Sequence, residues 1–292
     1  MKHLLLTTIA AVVMLVCVQA YECVPQKTSP RGTLETQLVS FLEDGERCIA
    51  VAQFGIYKSV AVLNLEPQAV ASNKDRIPIK GSYYYVKHAK EIHLEGHLET
   101  KTSRIVMNES YQGKLTGHFQ FSGDARGSNY WLSPGSTEED EAILIHMFPY
   151  DSSIGEKGIA SMRFNSIVKV RDYSMPEDAP HYDVVNWVWA CKLPDNSLVF
   201  QIYVMGEDFH TGRLNGIALS DHLLGKTYRH QSIIYGELCD LWIELNEQKN
   251  LIFKNVDCDP CCGAWVTLAG EYNYREEVRL FGNTDQLKVE EK

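Results

Sequence analysis

The residues best suited to chemistry are histidines and cysteines, and their spacing decides what each set could do. His88, His93, His97 and His118 crowd one stretch of the chain. The pair His93-x-x-x-His97 has the spacing of a helical zinc site, yet the surrounding EIHLEGHLE alternates apolar and polar residues, which is the period of a strand. On a strand rising about 3.3 Å per residue the two imidazoles stand roughly 13 Å apart and cannot share an ion. His93 with Glu95, or His118 with a histidine on a neighbouring strand, could still offer imidazole and carboxylate to zinc. The alternation favours the plainer expectation of a solvated outer sheet face, and no cofactor is expected.

The second set is Cys258-Asp259-Pro260-Cys261-Cys262. A C-x-x-C pair acts as a redox dithiol when its first sulfur sits at a helix start, or as half of a zinc site when another pair converges. Residues 264–274 read as strand, which weakens the redox expectation and favours structural disulfides, with Cys239 and Cys191 as partners for the cluster. Cys23 with Cys48 would staple the N-terminal segment to the first domain. Other catalytic signatures are missing: there is no G-x-S-x-G, H-E-x-x-H or G-x-x-x-x-G-K-[ST]. Asp183, His181, Asp208, His210, Asp221 and His222 could supply acid and base groups, but in loops such residues mark turns just as readily. Tyr83, Tyr84 and Tyr85 fall on both faces of one strand, and Trp187, Trp189, Trp242 and Trp265 sit in strand-like runs. These aromatics suit a core, or a surface row for a protein strand or glycan. Asn108-Glu109-Ser110 matches a glycosylation acceptor inside an expected strand.

The elements that must position these groups are mostly strands. Leu34, Leu38, Phe41 and Leu42 follow i, i+4, i+7, i+8, with Gly45 just beyond, so one short N-terminal helix is expected. Strands are expected over 47–54, 58–65, 77–87, 91–99, 104–109, 114–122 and 142–148, and 160–170 reads as a strand closing a first domain. In 91–99 the parity sends Ile92, Leu94 and Leu98 inward and His93, Glu95 and His97 outward. In 114–122 it sends Leu115, Phe119 and Phe121 inward and Thr116, His118 and Gln120 outward.

The segments GSYYYVKHAKEIHLEG, IVMNES, GKLTGHFQF and GSNYWLSPG, taken in order, carry a likeness. Over about residues 48–148 the chain resembles a β-rich module of uncharacterised exported bacterial proteins, patterned G-x-YYY-x-K, I-x-L-x-G and G-x-W-x-x-P. The resemblance implies a barrel-like or sandwich-like domain and brings no activity with it. DYSMPEDAPHY, residues 172–182, reads as a linker. Beyond it, Tyr228, His230, Ile233, Gly236 and Leu238 parallel Tyr85, His88, Ile92, Gly96 and Leu98, while Glu276, Glu277, Leu280 and Phe281 echo Glu138, Glu139, Leu144 and Phe148. The expectation is a mainly β protein of two antiparallel barrel- or sandwich-like domains, 21–171 and 183–292, with a degenerate tandem duplication as their origin.

Charge and the N-terminus bound the setting. A formal charge of -10 argues against a phosphate-backbone partner, which requires clustered Lys and Arg. Lys2, the apolar run 4–16 and Val18-Gln19-Ala20 read as a signal peptide over 1–20, too short to span a bilayer. Cys17 offers lipid anchoring as an alternative, against which stands the bulky Val16 before it. Of the eight cysteines, losing Cys17 with the leader leaves seven, an odd number. Together these features point to a secreted or periplasmic, disulfide-containing binding or interaction module with a protein or glycan ligand, no nucleic acid and no membrane span. The alternative is a thiol-disulfide oxidoreductase or a metal-dependent hydrolase.

Overall fold

The computed structural model describes residues 33–54, 59–68, 75–88, 90–124, 127–220, 226–234, 237–258 and 266–281. They form two closed antiparallel β-barrels of eight strands each. Helix α1 (Thr33–Glu43) precedes the first barrel, whose strands are β1 (Cys48–Phe54), β2 (Ser59–Pro67), β3 (Arg76–Tyr85), β4 (Glu91–Glu99), β5 (Arg104–Tyr111), β6 (Lys114–Ser122), β7 (Tyr130–Leu132) and β8 (Asp140–Pro149). Helix α2 (Ser152–Lys157) precedes the second, built from β9 (Ile159–Val170), β10 (Tyr182–Lys192), β11 (Leu198–Met205), β12 (Thr211–Ser220), β13 (Thr227–Ile234), β14 (Glu237–Leu245), β15 (Leu251–Asp257) and β16 (Gly270–Leu280). In both barrels each strand pairs with its chain neighbour, and the first strand pairs with the last to close the ring.

The expected helix lies where the apolar spacing placed it. Leu38 and Leu42 are fully buried and Leu34 and Phe41 pack beside them. The helix stops because Gly45 takes a positive φ of 79°, which lets the Gly45 and Glu46 N–H groups donate back to Leu42 and Phe41. Packed against β1, β2, β4, β6 and β8, α1 covers one end of the first barrel. It is pinned there by Thr36 Oγ1 donating to Gly123 O and Asn129 Nδ2 donating to Glu35 Oε1, each at 2.9 Å.

Most strands bury one face inward, and the parity of β4 is as expected, with Leu94 and Leu98 buried and His93 and Glu95 exposed. An apolar interior and a polar outer surface is the reverse of a lipid-facing barrel. No described helix is long and apolar enough to cross a membrane. Strands β1 and β2 depart from alternation because both of their faces are covered. Ala50, Ala52, Ala61 and Leu63 point into the first barrel. Ile49, Val51, Val60 and Val62 point out, into a layer shared with Trp189, Cys191, Val199 and Leu280 of the second barrel.

Three expectations need correction. Strand β9 does not close the first barrel: it pairs with β10 and β16, so the boundary falls between Pro149 and Ile159, and of the expected linker 172–182 all but Tyr182, the first residue of β10, lies in the connection between two strands of the second barrel. Leu115 is 49% exposed, because Ser110 pairs with Leu115 while Glu109 pairs with Gly117. The extra residue, Thr116, is a β-bulge that reverses the parity of the strand before it. The punctuation compared across the halves also falls on unlike strands. Tyr228 and Leu238 lie on the fifth and sixth strands of their barrel, whereas Tyr85 and Leu98 lie on the third and fourth of theirs; the echo of β8 in β16 does join last strand to last strand.

Candidate functional site

The histidine-bearing face is an outer surface whose groups are engaged with their own neighbours. Glu95 lies opposite Asn108, which lies opposite His118. His118 Nδ1 is 2.6 Å from Asn108 Oδ1, an amide oxygen that only accepts, so Nδ1 carries the proton. Lys80 Nζ approaches Glu95 at 3.8 Å, and His97 approaches Glu99 at 3.5 Å. Glu99 also receives Arg104, whose hydrogen bonds hold the carboxyl at about 2. His93 faces Ser110, and His88 sits beyond the end of β3. Among the described residues no grouping of three or more His, Cys, Asp or Glu side chains could hold a metal ion.

The described cysteines are Cys48, Cys191, Cys239 and Cys258. Cys258 is bonded to Cys239, so it is not half of a dithiol with Cys261; Cys261 and Cys262, like Cys17 and Cys23, lie outside the described residues. Cys48 is a free thiol inside the first barrel rather than a staple, and Cys191 is a free thiol in the layer between barrels rather than a partner for the cluster. Burial pushes both thiols up to about 12, which removes the thiolate that redox chemistry needs.

The acid and base candidates stay apart. Asp183 faces Lys169 across the β10–β9 ladder, His181 is exposed, Asp208 and His210 approach only to 4.0 Å, and Asp221 and His222 lie outside the described residues. A pair that spacing did not reveal joins the barrels: His146 Nε2 on β8 meets Asp195 Oδ2 in the β10–β11 turn at 2.5 Å. Among the described residues the tryptophans form no exposed row, and Trp265 lies outside the described residues. Trp187 and Trp189 belong to the layer between barrels, and Trp242 lies near the Arg229 guanidinium.

What sequence reasoning missed is the end of the first barrel opposite α1. The last inward residues of β1, β3, β5 and β6 there are aromatic or polar. Phe54, Tyr83, Tyr85 and Phe119 form a ring cluster with centroids 4.7 to 6.4 Å apart. Among them Glu109 is only 4% exposed. Its Oε2 accepts the indole N–H of Trp131 at 2.8 Å. The Thr116 bulge and Gly117 make this contact possible, since a Cβ on Gly117 would stand 2.4 Å from Trp131 Nε1 and 3.0 Å from Glu109 Oε2. Two hydroxyls in this region, Tyr83 and Thr116, are buried with no hydrogen-bond partner. Burial above all pushes the Tyr83 phenol far up. Tyr85 and Glu109 push it further, so they lie close, yet neither is placed to meet its hydroxyl. Tyr85 is raised chiefly by burial; the neighbouring Tyr83 hydroxyl opposes the rise, and the charges of Glu109 and Asp140 add to it. Tyr85, Ile92, Tyr111, Trp131 and Asp140 are half-buried and form a lip above this floor. Beside it a crevice of about 90 Å³ is lined by Ser59, Tyr85, Lys87, His88 and Gln201.

One signal could have exposed the site. Ile105 and Met107 are buried at alternate positions of β5, and the same parity places Glu109 inward. A carboxylate at a core position is the informative exception to hydrophobic burial. Compared with protein-family models, curated proteins and solved structures, the chain matches none of them.

Proposed function

We propose that this chain is an exported, non-catalytic binding module that receives a small ligand in the mouth of its first barrel. The observation that carries this is the Tyr83 hydroxyl, buried beside Glu109 with no partner. Burying a hydroxyl without a hydrogen bond costs about 1–3 kcal/mol, and nearly all native polar groups avoid that cost. An orphan at the floor of an aromatic mouth is what a ligand group would satisfy. Export is supported by the signal-like N-terminus and by the Cys239–Cys258 disulfide, since such bonds persist in oxidising compartments.

The test is a thermal-shift screen of the purified chain against a broad small-molecule library, repeated on Tyr83→Phe. The expected result is a compound that raises the unfolding midpoint of the wild type and loses most of that effect in the variant. Turnover in a hydrolase or thiol-exchange panel, or stabilising compounds that all act equally on Tyr83→Phe, would overturn the proposal.

A further inference from the structure

The geometry points to a ligand with a positively charged nitrogen, a small ammonium or quaternary amine, held between Glu109 and the rings of the first-barrel mouth. This inference rests on the binding reading above and names the ligand class.

Glu109 differs from the other carboxylates of its barrel. Glu66 meets Arg47, Glu95 meets Lys80 and Glu99 meets Arg76 and Arg104, all at the surface. Glu109 is buried, and among the described residues it has an indole N–H and no cation. A buried carboxylate is strongly destabilising unless a positive charge or several donors face it. Among the described side chains no cation supplies that charge. Asp140, paired opposite Trp131, adds a second carboxylate beside the mouth. An anionic ligand would be brought against both.

The walls suit the same ligand. Phe54, Tyr85, Phe119 and Trp131 surround the floor, and aromatic faces attract a desolvated cation. The bases beside the mouth do not fill this role. Lys87 directs its ammonium toward the Trp189 ring of the second barrel, 5.3 Å from the centroid. His88, pushed down by burial and then by Lys87 and Lys90, favours its neutral form. The formal charge of -10 adds a long-range attraction for cations.

The experiment is calorimetric titration of the purified chain with choline, with its neutral isostere 3,3-dimethylbutan-1-ol, with pivalate and with n-butylamine. One or both amines are expected to bind at least tenfold more tightly than the neutral and anionic probes. Glu109→Gln should weaken amine binding at least tenfold while circular dichroism stays unchanged. If Glu109→Gln fails to fold, Asp140→Asn reads the same charge from the lip and should weaken amines but not the alcohol. Equal or tighter binding of the alcohol or pivalate, or amine affinity indifferent to both variants, overturns the inference. If all four probes fail while the library yields a neutral or anionic compound that depends on Tyr83, the amine class falls and the binding mouth stands. If library and amines both fail, both fall.

Discussion

Removing the Cys239–Cys258 bond should cost the protein about 3 kcal/mol at 25 °C. The two residues are separated by 19 positions, and the chain-entropy relation for a closed loop of that size gives this value. They sit at adjoining ends of paired strands, with Asp240 opposite Asp257, so the native geometry needs no movement to accommodate the bridge. Its effect therefore falls on the unfolded chain. The perturbation is Cys239→Ala with Cys258→Ala, which leaves neither cysteine of the bond as a new free thiol. For a cooperative unit of this size each kcal/mol moves the midpoint by about 2–4 °C, so the melting temperature should fall by roughly 6–12 °C. Urea titration followed by far-UV circular dichroism should show a lower midpoint. It should also show a slightly steeper slope, because the released chain exposes more surface when unfolded. In the native wild type Cys239 and Cys258 are buried and should resist mild reductant until urea opens the barrel. An unchanged midpoint in the double variant would refute the reasoning, as would peptide mapping that joins Cys258 to another cysteine.

Two further outcomes rest on the layer between the barrels. Trp189→Ala removes a large side chain, 9% exposed, that packs with residues of both barrels; a loss of about 3–5 kcal/mol is expected. Calorimetry should record it as one lowered transition, and a change confined to one of two separate transitions would contradict a shared layer. Asp195 has its carboxyl pushed up by burial but, on balance, held at about 2 by hydrogen bonds from His146 and Ser197, below its ordinary 3.8. A depressed folded value means the contribution is present above about pH 4 and is lost as the pH falls toward 2. Asp195→Asn should lower stability at pH 6 and flatten the decline between pH 4 and 2; urea midpoints that track the wild type over that range would remove Asp195 from the account.

The helix, β4 and the strand-rich architecture were readable because each follows a simple period against one core. Strands β1 and β2 were found as strands, but their second apolar face announced a neighbour that single-chain alternation does not identify. The Thr116 bulge was opaque for a different reason: one inserted residue reverses parity without changing composition, and so Leu115 was assigned inward. Strand β9 was placed on the wrong barrel because a strand's own residues do not say which edge it completes; its partners lie in β10 and, far along the chain, β16. The mouth is not legible in Asn108-Glu109-Ser110 read as a glycosylation acceptor inside a strand, although the parity of Ile105 and Met107 already turns Glu109 inward.

The meander has a consequence for how the chain assembles. Every pairing except ring closure joins strands adjacent along the chain, so each new strand can dock on the one before it as the chain emerges. Local pairings of this kind carry little loop-closure entropy and form early. Only β1 with β8 and β9 with β16 must wait for a whole barrel's worth of chain. Until the first ring closes, β1 and β8 are open edges, able to capture a strand from another copy. The aggregation risk of this protein is thus concentrated in a brief interval before closure, and substitutions that slow β8 should lower yield more than they lower the stability of the finished barrel.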